Sequence, residues 1–277
     1  MDFESLENTL PPELKARWEA LLERFRRLGS VIVAFSGGVD SGLLCAAGWR
    51  ALGDQMLAVT VRSPVESMGD VDSAQALALQ VGFTLRVLDY DDLNNPEFVS
   101  NPPDRCYVCK LARFGLLREV AAREGFAALV EGSNADDLGD YRPGMRAVTE
   151  TGAASPLQEL GFKKSEIRAL AKALGLSVWD RPSAPCLATR FPYGSLVTLA
   201  GLKQVAEGER YLHELGFQTV RVRHHGQLAR LEVSPGEIEQ LAALRQPVSD
   251  HFKALGFHYV AVDLTGYRMG SLNEVLK

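Results

Sequence analysis

Residues 31–41 read Val-Ile-Val-Ala-Phe-Ser-Gly-Gly-Val-Asp-Ser. Val31 to Phe35 are apolar, mostly β-branched and few in number, the pattern of a buried parallel strand. Ser36–Ser41 then turn sharply into an apolar, helix-forming run from Gly42 to Leu52. A strand, two glycines and a helix start together make an anion site, because free backbone N–H groups and the positive end of the helix dipole face the turn. Gly37 and Gly38 let the backbone approach a phosphate closely, and Ser36 and Ser41 add hydroxyl donors. The turn is not a Walker A loop, which needs a lysine and a four-residue spacer. Nor does it match the Gly-x-Gly-x-x-Gly dinucleotide turn.

The surrounding chain is 277 residues long, enough for one large domain or two smaller ones. With 46% hydrophobic and 23% charged residues it has ordinary globular composition. No apolar run approaches the roughly 20 residues that span a bilayer, and the acidic start MDFESLENTL lacks a signal-peptide core. The expected compartment is the cytoplasm, with no membrane partner. The net charge of −5 argues against generic polyanion binding and hence against nucleic acid, while leaving room for a local basic pocket around one phosphate.

Outward from the loop, strand and helix patterns alternate. Pro11–Leu28 carries a helical stripe of Leu14, Trp18, Leu21, Leu22 and Phe25. Met56–Val61 and Leu85–Leu88 read as strands, Ser73–Val81 as a helix, residues 94–104 as a loop, Leu111–Glu124 as a helix and Ala127–Val130 as a fourth strand. Alternation of this kind predicts an α/β fold, a parallel sheet with helices on both faces. Glu131-Gly132-Ser133-Asn134-Ala135-Asp136-Asp137 then follows a strand end, where a ligand is expected. Asp136 and Asp137 suit magnesium and helix capping equally. Residues 139–146 and 149–154 read as loop, and Ser165 as the N-cap of a helix over 166–174 that Gly175 stops. Trp179 reads as core rather than as a stacking platform. From about Ser195 the order becomes helix (199–215), strand (219–224), strand (228–233), helix (235–244), strand (259–264), a small α+β domain with an antiparallel sheet. The expected division is 1–194 and 195–277.

The four cysteines are Cys45, Cys106, Cys109 and Cys186. Cys45 lies inside the helix after the loop and reads as a buried apolar side chain. Cys106 and Cys109 form a Cys-x-x-Cys pair at a helix start, where the dipole favours thiolates, and Cys186 follows Pro185 far along the chain. Three thiolates suit three corners of a 4Fe–4S cluster with one iron left without a protein ligand. Sulfur-carrying or redox thiols are a second reading. Zinc is a third, weakened because all five histidines lie after position 212 and none is an evident fourth ligand.

The loop string resembles that of enzymes which split ATP into AMP and pyrophosphate. Taken in order with Glu131–Asp137, Arg142-Pro143-Gly144, Ser155-Pro156-Leu157, Pro185-Cys186-Leu187-Ala188-Thr189-Arg190 and Gly266-Tyr267-Arg268-Met269-Gly270-Ser271, it resembles the ATP-dependent sulfur transferases of nickel-pincer nucleotide synthesis. These make the lactate racemase cofactor and belong to the pyrophosphate-loop ATP pyrophosphatases. The resemblance covers nearly the whole chain. It implies an adenine nucleotide alpha hydrolase-like first domain and a small second domain for substrate binding or assembly. It also implies an enzyme that adenylates the carboxylates of pyridinium-3,5-biscarboxylic acid mononucleotide and converts each to a thiocarboxylate.

By the same resemblance, Ser36, Gly37, Gly38, Val39, Asp40, Ser41, Thr60, Glu131 and Gly132 bind ATP, with Asp40 placing Mg2+ or the loop itself. Cys186, Asp40 and Arg190 are the catalytic candidates. Thr189, Arg190, Arg221, Arg268 and Ser271 are candidates for substrate phosphate or carboxylate, arginine being suited to it by its bidentate fork; solvated surface charge is the alternative, favoured for the strand pair Arg221 and Arg223. One type of member sacrifices the sulfur at the position of Cys186 and lacks the Cys106/Cys109 pair. Another carries all three cysteines, as here, and resembles cluster-dependent transfer-RNA thiolases. This favours Cys106, Cys109 and Cys186 as ligands of a 4Fe–4S cluster that passes on sulfide from a sulfur donor. Members assemble as homo-oligomers, hexamers among them. The rival readings are sacrifice of Cys186, a transfer-RNA thiolase, an ammonia-using synthetase and a non-catalytic nucleotide or cluster sensor.

Overall fold

The computed structural model describes residues 1–66, 69–139, 143–182 and 185–276. Arg142 of the Arg-Pro-Gly string and residues 183–184 before Cys186 lie outside the described residues. In chain order the elements are α1 (Phe3–Thr9), α2 (Pro12–Leu28), β1 (Val31–Ala34), α3 (Val39–Leu52), β2 (Met56–Arg62), α4 (Asp70–Val81), β3 (Leu85–Asp89), α5 (Pro96–Val99), α6 (Arg105–Glu124), β4 (Ala128–Val130), α7 (Gly144–Thr151), α8 (Pro156–Glu159) and α9 (Lys164–Ala173). There follow α10 (Leu199–Glu214), β5 (Val220–His225), β6 (Leu228–Val233), α11 (Ile238–Ala243), α12 (Arg245–Ala254) and β7 (Tyr259–Val262). Two compact units result. One comprises Met1–Ser63, Met68–Tyr90 and Cys106–Ala184; the other comprises Pro64–Ser67, Asp91–Arg105 and Pro185–Lys277. No helix among the described residues is long and apolar enough to cross a membrane.

The first unit is a four-stranded parallel sheet in the order β3-β2-β1-β4. Alternate residues of its strands feed two cores, as the period of two requires. Val31, Val33, Met56 and Ala58 pack with Trp18, Phe25, Leu43, Leu44, Leu77 and Leu170, from helices α2, α3, α4 and α9. Ile32, Leu57 and Val59 face the other way, onto Phe114, Leu117 and Val120 of α6 and Val148 of α7. Helices therefore cover both faces, as the alternating pattern predicts. Because β1 connects toward β2 while β4 pairs on its other side, the strand order reverses at β1 and β4, and their carboxyl ends mark a ligand crevice.

Residues 139–146 and 149–154 do not form the expected loops throughout, since α7 occupies 144–151. Ala147, Val148 and Thr151 give it a buried face, and Gly152, in the left-handed region, stops it. Nor is Ser165 an N-cap. Helix α9 begins two residues earlier than expected, at Lys164, where Asp136 Oδ2 accepts from Lys164 N and Glu166 Oε2 from Lys163 N, both at 2.8 Å. The loop at 94–104 contains the short helix α5, capped by Asn95. Helix α6 starts at Arg105 rather than Leu111, which places both cysteines of the pair within it. Trp179 is half-buried against the first core, with Lys172 Nζ 4.5 Å from its ring centroid.

In the second unit β5 and β6 are antiparallel, but β6 and β7 are parallel, so the sheet is mixed rather than antiparallel. The cause is α12, which joins α11 in a helical crossover between β6 and β7, the connection that parallel neighbours require. Val220, Val222, Ala229 and Leu231 are fully buried, as are Leu212, Phe217 and Phe252.

Candidate active site

The turn after β1 is braced by the Ser41 hydroxyl. Ser41 Oγ accepts from Ser36 N at 3.2 Å, lies 3.1 Å from Ser36 Oγ and donates to Gly38 O at 3.4 Å. Helix α3 begins at Val39 rather than after the turn, so Asp40 and Ser41 sit in its first turn, where backbone N–H groups have no intrahelical partner. Gly37 has φ +75°, and a Cβ there would meet Asp70 O at 2.6 Å. Only glycine fits. The Gly37 carbonyl accepts from Arg181 Nη1 at 2.8 Å and from Ser73 Oγ at 3.3 Å. Gly132, at the end of β4, lies so close to α3 that a Cβ would be 3.2 Å from Ser41 N. The end of β4 thus lies directly against the first turn of α3, beside the turn that follows β1.

Asp40 Oδ2 is ion-paired with Lys164, and its Oδ1 accepts from Asn134 Nδ2 at 3.4 Å. Thr60 is buried and donates to Phe35 O at 2.8 Å, so its hydroxyl closes the end of β1. Glu131 is 4% exposed. Its carboxylate takes Lys110 Nζ at 3.1 Å, Ser133 N at 3.0 Å, Ser133 Oγ at 2.9 Å and Ser155 Oγ at 2.5 Å. Burial pushes this carboxyl up, but the Lys110 ammonium and the serine hydroxyls outweigh it and hold it below the usual carboxylate range. Asp136 and Asp137 accept backbone N–H groups of Lys164 and Asn134, contacts of the capping kind.

Cys45 is fully buried, and burial pushes its thiol well up, in keeping with the core role expected of it. Cys106 is exposed and Cys109 half-buried, one turn apart on α6. The next residue, Lys110, carries the ion pair to Glu131. Cys186 is half-buried and precedes the turn Leu187–Arg190. No cysteine is in a disulfide. Among the described residues no three His, Cys, Asp or Glu side chains converge as a ready metal site.

Around Cys186 the second unit supplies a dense polar frame. The Cys186 carbonyl accepts from Thr189 N at 3.0 Å, Thr189 Oγ1 at 2.8 Å and Arg190 Nη1 at 3.3 Å. Arg190, 3% exposed, spends its other face on Glu209. Arg223 pairs with Glu232 at 2.9 and 2.7 Å and also donates to Thr189 O and to Ser271 Oγ. Arg268 pairs with Glu274.

Arg221 differs from the other three. Its guanidinium lies 5.0 Å from the Tyr267 ring centroid, it donates to Val220 O at 2.6 Å, and among the described residues it has no ion pair. Burial, then the like charge of Arg190 with a smaller share from Arg223, pulls its pKa down; Glu209 and Tyr267 oppose this. A bound anion would relieve such a site.

The sequence singles out neither Lys164, Lys110 nor Arg181. Lys110 has a local signal, following the Cys-x-x-Cys pair directly. Arg181 has none, since it lies 144 positions from the glycine it holds.

Comparison with known proteins points the same way. No protein-family model matches the chain. It is 38% identical over 264 residues to the pyridinium-3,5-bisthiocarboxylic acid mononucleotide synthase of Lactiplantibacillus plantarum, across 95% of this chain and 96% of that one. An uncharacterized protein of Synechocystis sp. is 40% identical across 95% and 99% of the two chains. An ammonia-dependent NAD(+) synthetase from Chlorobaculum tepidum matches at 27% identity over 57% of this chain and 60% of its own.

Proposed function

Because this chain belongs to the pyridinium-3,5-bisthiocarboxylic acid mononucleotide synthase family, we propose that it is an ATP-dependent sulfur transferase of nickel-pincer cofactor synthesis. The observation that carries this reading is the Ser36–Ser41 turn at the start of α3, facing the end of β4, in a chain that also presents Cys106, Cys109 and Cys186.

The reaction follows from these parts. The turn and the first N–H groups of α3 hold the β- and γ-phosphates of ATP. A substrate carboxylate oxygen attacks the α-phosphorus, and the bond to the β-phosphate oxygen breaks to release pyrophosphate. Asp40 exchanges its contact with Lys164 for the Mg2+ that accompanies the phosphates. The acyl adenylate now carries a good leaving group. Sulfide attacks its carbonyl carbon, the bond to AMP breaks, and a thiocarboxylate remains; a second round converts the other carboxylate. Arg221 binds the mononucleotide phosphate, and Arg223, Thr189 and Ser271 frame that position.

Cys106, Cys109 and Cys186 suit a 4Fe–4S cluster by donor chemistry: three thiols outside disulfides, two of them one helical turn apart on an accessible helix start. When bound, such a cluster offers one iron without a protein ligand, able to carry sulfide. The chain's own part is to fix the thiols: α6 sets the first two, and Arg190 and Thr189 fix the backbone at Cys186. The small unit binds substrate and supports homo-oligomer assembly in the cytoplasm.

The test is turnover. Anaerobically purified protein given ATP, Mg2+, sulfide and the dicarboxylate mononucleotide is expected to form AMP, pyrophosphate and a thiocarboxylate. Absence of AMP formation would sink the proposal.

A further inference from the structure

The Gly37–Gly38 peptide is held from behind. Its carbonyl accepts from Arg181 Nη1 at 2.8 Å and from Ser73 Oγ at 3.3 Å. Arg181 is itself fixed, with Nη2 2.6 Å from Asp70 Oδ1 and 3.4 Å from Gly69 O. Its backbone carbonyl accepts from Arg168 Nη2 at 2.8 Å. The described peptides are all trans, so the C=O of Gly37 and the N–H of Gly38 point in opposite directions. With the carbonyl turned onto Arg181, the Gly38 N–H lies on the opposite side of the peptide from that arginine, and no acceptor among the described residues takes it. A glycine at φ +75° has little intrinsic resistance to the flipped arrangement. That arrangement would aim a carbonyl dipole at the phosphate.

We infer that Arg181 is a positioning residue: by holding the Gly37 carbonyl it keeps the Gly38 N–H directed at the pyrophosphate portion of ATP. Asp70 orients the arginine, and Ser73 supplies the second donor. The inference rests on the ATP-site reading above and names the residue that sets the polarity of that site. Arg181 touches no reacting atom in this scheme; its effect passes through one peptide plane.

Calorimetric titration of the full chain with Mg-pyrophosphate and, separately, with AMP tests this. Removing a preorganised backbone donor is costly, so Arg181→Met is expected to weaken pyrophosphate binding roughly tenfold to a hundredfold. AMP lacks the phosphates served by Gly38 and should change by less than about threefold. Arg181→Lys is expected to recover part of the loss, since an ammonium reaches the Gly37 carbonyl but cannot also fork to Asp70. If Arg181→Met does not fold, Asp70→Asn keeps the arginine and removes its anchor, and pyrophosphate binding should weaken selectively in the same sense. Wild-type pyrophosphate affinity in these variants, or equal loss of both ligands, overturns the inference alone. A wild-type protein that binds neither ligand overturns the ATP-site reading and the inference with it.

Discussion

The Arg190 guanidinium donates to both carboxylate oxygens of Glu209, at 2.8 Å each, in a pair almost fully removed from solvent. Arg190 is therefore a frame for the Cys186 backbone and has little left to offer an incoming anion. Breaking such a pair leaves a buried charge uncompensated, so Glu209→Gln is expected to cost about 3 to 5 kcal/mol of stability. Chemical denaturation reads this directly. A loss well under 1 kcal/mol would mean that water or another group serves Arg190 equally well.

Asp40 is the acidic side chain of the first α3 turn, paired with Lys164. If it exchanges that lysine for Mg2+, Asp40→Asn should lower kcat/KM for ATP by roughly a hundredfold and raise the Mg2+ concentration needed for half-maximal rate. An unchanged Mg2+ requirement would assign Asp40 to bracing the loop instead.

Arg221 has no ion pair among the described residues, in contrast to Arg190, Arg223 and Arg268. A hydrogen bond to a charged group is worth roughly 1.5 to 3 kcal/mol, so Arg221→Met should raise KM for the mononucleotide about tenfold to a hundredfold. KM for ATP should not move. Equal effects on both substrates would remove Arg221 from the substrate site.

Much of this was legible in the chain because local chemistry forces it. Val31–Phe35 has few alternatives to a buried strand, and two glycines between it and a helix imply an anion turn. Helix α12 lies beyond the helix read over 235–244; its Pro247 falls in the first turn, where a missing N–H costs nothing. Missing α12 also hid the crossover that makes β7 parallel to β6. The pairings at the sites were illegible for another reason. Asp40 finds Lys164 and Gly37 finds Arg181 only after the sheet is assembled, and no spacing rule reaches across such separations.

Glu131 ties acid stability to the Lys110 contact. Its carboxyl lies below the usual range, so the folded chain binds fewer protons than the unfolded chain just under the ordinary value of 4.5. The stabilisation is complete above that pH and is lost as pH falls through the lowered folded value. Lys110→Met leaves the buried carboxylate without its cation, which raises its pKa. The stability gap between wild type and this variant should then be widest near neutrality and close below about pH 4.5. A gap that does not vary with pH would show that Lys110 acts by packing alone.

In the proposed reaction Cys186, with Cys106 and Cys109, delivers sulfur without surrendering its own. Intact-mass and peptide mass spectrometry of the protein after several turnovers with ATP, sulfide and the dicarboxylate mononucleotide tests it most directly. The expected result is thiocarboxylate product in excess of enzyme, with the Cys186 side chain unaltered. Conversion of Cys186 to dehydroalanine, in step with a single turnover, would contradict it.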